Sequence, residues 1–511
     1  MENSLSLKAK VHLPEVKSFF WDYVYLILSK GGVILLTFAA TILITRLLGP
    51  ENYGSFSLFV MVAQILVILL GSWSSGAAIR FGKEEYIKEE KINKVFWSRM
   101  IMLIPSFFLG IFLVVIFRQN ILIYINLPSW TIWMVIGYFL IYSLSEFLYG
   151  IFQATNKLKS LALIELFESL FLVLGLGLAK IFVGASFYIL AVVIGLHILS
   201  KFLINFAFLS RLNLKIFFPV ELDREVVRRM LIFSYPFIFS TIAAYVMNWV
   251  DMIVIKKYLG LFEVGVYSLA YKIGNFLRQF GLVLDIIFFP MMIGFLSHKR
   301  KDLIDLYFKR ITPQIVFLWG IILFFIFILS QPLIPIFFGK SFTGSVSPFI
   351  ILLIGYYINI FAMLCSSILM TFEFVKQVVA INFLAMLLNL GFDLLLVPKI
   401  GIDGAAIATA MVFIFGGISY FFLVNKILGL RERKPLFIPV PFLIFFISNI
   451  LFQNTVYLLG SSIVLAIAVF LMAKHFDLFR QEDKKIFEAI DMPDFLRKGI
   501  YKIIDKLSPL L

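Results

Sequence analysis

Lys30, Lys272 and Arg278 are cations set inside long apolar stretches of the chain. A fixed charge in such surroundings costs at least a few kcal/mol unless it faces protein or water. Three ammonium and guanidinium groups kept at that cost are expected to face the interior of the protein. Thr37 lies two turns from Lys30 on one helical face, and Lys272, Asn275 and Gln279 make an i, i+3, i+7 stripe. With Gln64 on the neighbouring stretch, these residues are expected to line a wet cavity. Asn382, Asn389 and Asp393 form a second one-faced polar stripe further along the chain. The embedded acids are Glu146, Glu165, Glu168, Asp251, Asp285, Glu373 and Asp393. Glu146, which has no partner on its own helix, and Asp251 and Asp393 are the candidates for exchanging a coupling ion, H+ or Na+. Structural roles compete. Arg278 with Asp285, and Asp251 with Lys272, would serve equally as pairs between spans. Lys201 is close enough to a helix end to snorkel, Glu165, Glu168 and Glu373 read as interfacial, and His197 reads as a packed or hydrogen-bonded residue.

Other chemistries have little to stand on. The single Cys365 excludes an internal disulfide and a cysteine-built metal site. Four histidines without metal-ligand spacing leave no zinc motif, so no metal and no cofactor is expected. A membrane glycosyltransferase or polymerase would need a sizeable external loop or an acidic catalytic motif, and neither is present.

The elements that must hold these side chains follow from composition. With 61% hydrophobic residues, 60 Phe and 15% charged residues, 511 residues cannot make a water-soluble globule. The expectation is an all-α polytopic membrane protein with fourteen transmembrane helices. Among them are spans 1 (22–45), 2 (55–78), 7 (231–255), 8 (265–290), 11 (378–397), 12 (404–425), 13 (436–453) and 14 (455–473). Met1 to Lys17 lacks a signal-peptide pattern, so the first span is expected to insert the chain and stay. With the N-terminus inside, inner segments hold 34 of the 45 Lys and Arg and outer segments seven. This asymmetry predicts that both termini face the cytoplasm. It also accounts for most of the +15 net charge without nucleic acid.

One stretch occurs twice. Leu48-Gly49, Gly54 and Ser57-Leu58 recur 211 positions later as Leu259-Gly260, Gly265 and Ser268-Leu269, with Arg46 and Lys257 two positions before. The copies lie six spans apart, so the two halves share one orientation. They are expected as parallel six-helix lobes about an axis along the membrane normal, with a pathway between them. The expected divisions are 1–229, 230–430, the added spans 13 and 14 within 431–475, and a cytoplasmic tail, 476–511. In that tail Leu496, Ile500, Ile503, Ile504 and Leu507 share one helical face for lying on the inner leaflet.

Leu47 to Gly54 after span 1, its copy after span 7, and Gly401-Ile402-Asp403-Gly404-Ala405-Ala406 before span 12 carry a family resemblance. The chain resembles the polysaccharide transporters, Wzx-type flippases of the multidrug/oligosaccharidyl-lipid/polysaccharide exporter superfamily, over essentially its whole length. The resemblance implies a MATE-like fold in the cytoplasmic membrane. It also implies alternating access about a cationic cavity, and an oligosaccharide on a polyprenyl diphosphate as substrate, with Lys272 and Arg278 expected to bind the diphosphate and Lys30 to assist. Partners would be membrane lipids and the polymerase and glycosyltransferases of a surface-polysaccharide pathway such as O-antigen assembly. Span 2 offers Gln64 but no cation, so charge is unequally divided between the lobes. A lipid II flippase and a drug/cation antiporter of the same superfamily are the alternatives. The antiporter is expected to carry carboxylates without this cationic set.

Overall fold

The computed structural model describes residues 14–511 apart from 156, 184–187, 212–213, 298, 453, 482, 485–496, 500, 503–504 and 506–511. The side chains of 14–29, 158, 214, 236–237, 239–240, 244, 280, 282–287, 290 and 455 are likewise outside the description. The described residues form seventeen α-helices, short 3-10 and π turns, and no strand. That is what an apolar chain in lipid must do, because only a helix satisfies its own backbone groups there. Eleven segments of the described residues are long and apolar enough to cross a membrane, and the protein is a multi-pass membrane protein.

Helix α1, Pro14–Leu66, bends at Gly49, whose φ of 67° is open only to glycine without strain; Pro50 follows. The bend divides α1 into two limbs, the predicted spans 1 and 2. Span 2 departs from the straight helix expected over 55–78. It passes through a π turn, Val67–Gly71, bends at 72–74 and resumes as α2, Ser75–Glu89. A Cβ on Gly71 would lie 2.1 Å from the Ser143 hydroxyl, so the π turn sits where another helix presses closest.

The remaining helices of the first half are α3 (Asn93–Ile116), α4 (Arg118–Ile125), α5 (Ile132–Ala154), α6 (Leu158–Phe182) and α7 (Ile189–Arg211). Helix α6 packs on α1 and α7, and α5 on α7 and α2. The second half opens with α8, Arg224–Tyr258, capped by the Asp223 carboxylate, which accepts from Glu225 N at 2.8 Å. This cap starts the helix seven residues before the predicted span 7. It continues with α9 (Leu261–Ser297), α10 (Lys301–Leu306), α11 (Thr312–Phe338), α12 (Val346–Thr371), α13 (Val375–Ile400) and α14 (Ile402–Leu428). Helix α12 packs on α14 and α9, and α13 on α14 and α8. Then come α15 (Lys434–Phe437), α16 (Pro439–Leu451) and α17 (Thr455–His475). Helix α16 lies against α17, α12 and α11, on the second half.

The two halves meet chiefly where α1 crosses α9, and there the two copies of the repeated turn touch. That end of the bundle is called the turn end and the opposite one the basic end. After α17 the chain does not leave the bundle at once, as the sequence reading had it. Leu478 and Phe479 are buried, and the nearly buried Asp483 accepts from Arg310 Nη2 at 2.7 Å and Gln314 Nε2 at 2.8 Å. The apolar face predicted over Leu496 to Leu507 lies almost wholly outside the described residues.

Candidate substrate cavity

Between α1 and α9 lies a cavity of about 450 Å³. The limbs of α1 contribute Thr37, Thr41, Ser57 and Gln64, and α9 contributes Ser268, Lys272, Asn275 and Arg278. The α9 residues recur every three or four positions, so one face of the helix forms the wall. Asn248 and Trp249 of α8 and His197 of α7 close the sides.

No carboxylate lines this cavity among the described residues. Lys272 makes no ion pair there; its Nζ sits 5.9 Å from the Phe276 ring centroid. Arg278 has no carboxylate partner among the described residues either, and the side chain of Asp285, its predicted rival partner, lies outside them. The buried Oδ1 of Asn275 has no donor among the described residues. Gln64 is held loosely, its Nε2 3.4 Å from the Tyr138 hydroxyl. These groups leave the wall positively charged and rich in free hydrogen-bonding capacity. His197, set aside as packing, does line the cavity, its ring edge-on to Phe56 at 5.1 Å.

A second cavity of about 530 Å³ lies among α8, α9, α12, α13 and α14. Asn248, Tyr271 and Arg278 belong to both walls, so Arg278 stands at the junction. Asn382 lines the second cavity and accepts from the Tyr420 hydroxyl at 3.1 Å. Lys376 lines it too. Sequence reasoning missed Lys376, counting it among the basic residues of the inner segments.

Three predicted residues sit elsewhere. Lys30 is in neither cavity wall; its Nζ donates to Glu165 Oε2 at 2.6 Å, tying α1 to α6. Glu165, expected at the interface, is therefore a structural partner. Gln279 is exposed and outside both walls, because α9 turns Arg278 inward in its place. Asn389 lines neither cavity; it is buried with the acids described below. Lys201 reaches Glu168 at 2.9 Å and lies over the Tyr142 ring instead of snorkelling. Glu146 lies outside both walls, within the electrostatic reach of Lys201 and Arg99. Arg99 is a fully buried cation that the sequence reading counted only among the inner-side charges; its Nη2 donates to Ser75 Oγ at 2.7 Å.

Asp251 of α8 and Asp393 of α13 are buried side by side. Asp251 accepts from Thr409 Oγ1 at 2.7 Å, from Asn389 Nδ2 at 3.2 Å and from the Tyr267 hydroxyl. Asn389 also donates to Asp393 Oδ2 at 3.3 Å, while Asp393 Oδ1 has no donor among the described residues. Two carboxylates in contact at low dielectric repel strongly, so the pair requires a proton or a cation between its oxygens. Its Lys272 rival is not in contact with it: Lys272 faces the cavity.

A family model described as polysaccharide biosynthesis protein matches residues 21–295. The chain belongs to this family. Among its relatives is the succinoglycan biosynthesis transport protein ExoT of Rhizobium meliloti (strain 1021). It is 25% identical over 62% of this chain and 61% of its own length. The capsular polysaccharide biosynthesis protein CapF of Staphylococcus aureus is 23% identical over 81% of this chain and 100% of its own. Among solved structures, the lipid II flippase MurJ in an inward closed conformation superposes with a TM-score of 0.68. It is 16% identical and covers 89% of this chain and 98% of that one, a likeness of fold.

Proposed function

We propose that this member of the polysaccharide biosynthesis protein family is a transporter, not an enzyme. On this reading it moves an oligosaccharide linked to a polyprenyl diphosphate across the cytoplasmic membrane. The observation that carries the reading is Lys272 and Arg278, neither paired with a carboxylate among the described residues, in a cavity between the two halves that no described carboxylate lines. A diphosphate carries about two negative charges, and fixed donors in a water-lined cavity replace the hydration it gives up. Thr37, Gln64 and Asn275 supply neutral hydrogen bonds beside them. Arg278, shared by both cavities, passes the anion from the central cavity to the second one, and Lys376 receives or releases it there. The basic end faces the cytoplasm, where the Lys and Arg excess holds it.

Movement is coupled through Asp251 and Asp393. A proton or sodium ion on the pair removes their mutual repulsion and stabilises the packing of α8 on α13 and α14; its departure loosens that packing. Thr409 and Asn389 supply further oxygens for a hard cation. Lipid II carries the same diphosphate and is the second reading, which the MurJ-like fold favours.

The test is leaflet transfer in reconstituted vesicles. Lipid-linked oligosaccharides from a surface-glycan pathway should move to the far leaflet and lipid II should not. Arg278→Ala should abolish transfer while inserting normally. Transfer at the wild-type rate by Arg278→Ala rejects the assignment.

A further inference from the structure

A third chamber, about 740 Å³, opens at the turn end, between the start of the second limb of α1, helix α4 with the link to α5, and the first turns of α7. The transport mechanism above does not use it. The limb beginning at Pro50 is the partition: Glu51 and Asn52 face this chamber, and Tyr53 and Phe56 face the central cavity. The two spaces differ in chemical kind. The central cavity has cations and no carboxylate. This chamber has Glu51, the amides of Asn52, Gln119 and Asn126, the hydroxyls of Ser55, Ser129 and Thr131, and no Lys, Arg or His among its described lining residues.

Glu51, Asn52, Gln119, Asn126 and Ser129 are exposed, whereas Ser55 and Thr131 are buried, and among the described residues the side chains of Glu51, Asn52, Gln119 and Asn126 have no hydrogen-bond partner. Asn126 adopts φ 55° as the cap of α4, which fixes where its amide stands. Beside them Trp130 leaves 43% of its surface open on the same wall. Each amide offers both a donor and an acceptor, and a carboxylate only accepts. An indole face covers C–H groups while polar neighbours meet hydroxyls. That set complements a sugar ring, which has hydroxyls round its edge and C–H groups on its faces. It repels a phosphate. Interfacial anchoring explains a tryptophan alone, but not four unpaired polar side chains gathered round it.

We infer that this chamber binds sugar units, neutral or amine-bearing, of the transported molecule as they emerge at the turn end. The source of the sugar rests on the transport reading; the chemistry of the chamber does not. The partition places a sugar chain next to this chamber when its diphosphate is held on Lys272.

The test uses the full chain in lipid nanodiscs with two probes: the free oligosaccharide released by mild acid from the host's lipid-linked glycan, and inorganic pyrophosphate. Saturation-transfer NMR reports the first, calorimetry the second. Trp130→Ala, and separately the Asn52→Ala/Gln119→Ala pair, are expected to weaken oligosaccharide binding about tenfold or more. Trp130→Phe should stay within about threefold of wild type, and pyrophosphate binding should not change in any of them. Lys272→Gln/Arg278→Gln should show the reverse pattern. Oligosaccharide that fails to bind the wild type, or binds both chamber variants equally well, overturns the inference. Pyrophosphate that fails to bind the wild type instead rejects the role given to the central cavity. A variant that loses both probes has lost its fold, and the other chamber variant, built on different elements, then decides.

Discussion

Gly54 and Gly265, equivalent positions of the repeated stretch, lie backbone against backbone across the junction of the two halves. A Cβ on Gly54 would stand 2.1 Å from the Leu261 carbonyl oxygen, and one on Gly265 would stand 1.8 Å from that of Pro50. Neither oxygen can swing aside, because both belong to backbone. The duplicated turns therefore close the turn end on each other, and Gly54→Ala or Gly265→Ala must hold it apart. Transfer in vesicles is expected to fall at least about tenfold in either variant. Spin labels either side of the contact should report a wider separation. Gly137→Ala, which meets nothing within 4 Å, should match wild type.

Arg46 adds a second tie at the same end. Its Nε donates to the Phe337 carbonyl at 2.6 Å and its Nη2 to that of Ile336, at the negative end of α11. The group is exposed, so its worth is modest, about 0.5–1.5 kcal/mol. Arg46→Gln should raise labelling by maleimide of a cysteine placed at Ser57 by about threefold to tenfold. Labelling from the turn end that stays at the wild-type rate removes Arg46 from the closure.

Lys30 and Glu165 separate a structural cation from a binding one. Lys30→Met should lower the thermal stability of the solubilised protein by about 1 kcal/mol, since the pair is partly exposed. Pyrophosphate binding should be unchanged. Exchanging the two charges, Lys30→Glu with Glu165→Lys, should restore stability. A loss of anion binding in Lys30→Met would return the residue to the cavity set.

The Asp251 and Asp393 pair makes a prediction about driving force. Asp393→Asn keeps the hydrogen bond from Asn389 but removes the second charge, so the site no longer needs an ion. Transfer driven by a proton or sodium gradient should lose its dependence on that gradient, leaving the slow basal rate. A variant as responsive as wild type places the coupling elsewhere, with Glu146 the next residue to replace.

Asp483 should be costly to alter. It is the carboxylate for Arg310 and accepts from Gln314 Nε2 and Arg480 N. Removing one partner of a buried ion pair costs about 3–5 kcal/mol. Asp483→Asn is expected to undock the segment after α17, seen as faster proteolysis following His475, while α11 stays intact. Unaltered proteolysis shows that Phe479, which meets Phe317 at 5.8 Å, suffices to hold it.

Much of this was legible in the chain. Hydropathy alone required membrane helices, because lipid offers no partner for an open backbone group. The repeat at Gly49 and Gly260 announced a duplicated fold, and both glycines carry the positive φ that the turns need. Lys272 and Asn275 were readable as one wall because helical spacing within a single segment fixes a common face, but the same spacing put Gln279 with them, and the structure sets Arg278 there instead.

What sequence could not supply was the identity of a neighbour on another helix. Lys30 and Lys272 are alike in the sequence, each a lysine in an apolar span; only the approach of α6 gives Lys30 a carboxylate and leaves Lys272 without one. The same holds for Asn389, which periodicity put on a polar stripe and packing of α13 on α8 put beside Asp251. Spacing along one helix is set by the chain's own geometry. Contact between helices distant in sequence is set by how they pack, and that packing decided which charges are neutralised and which stay free to bind.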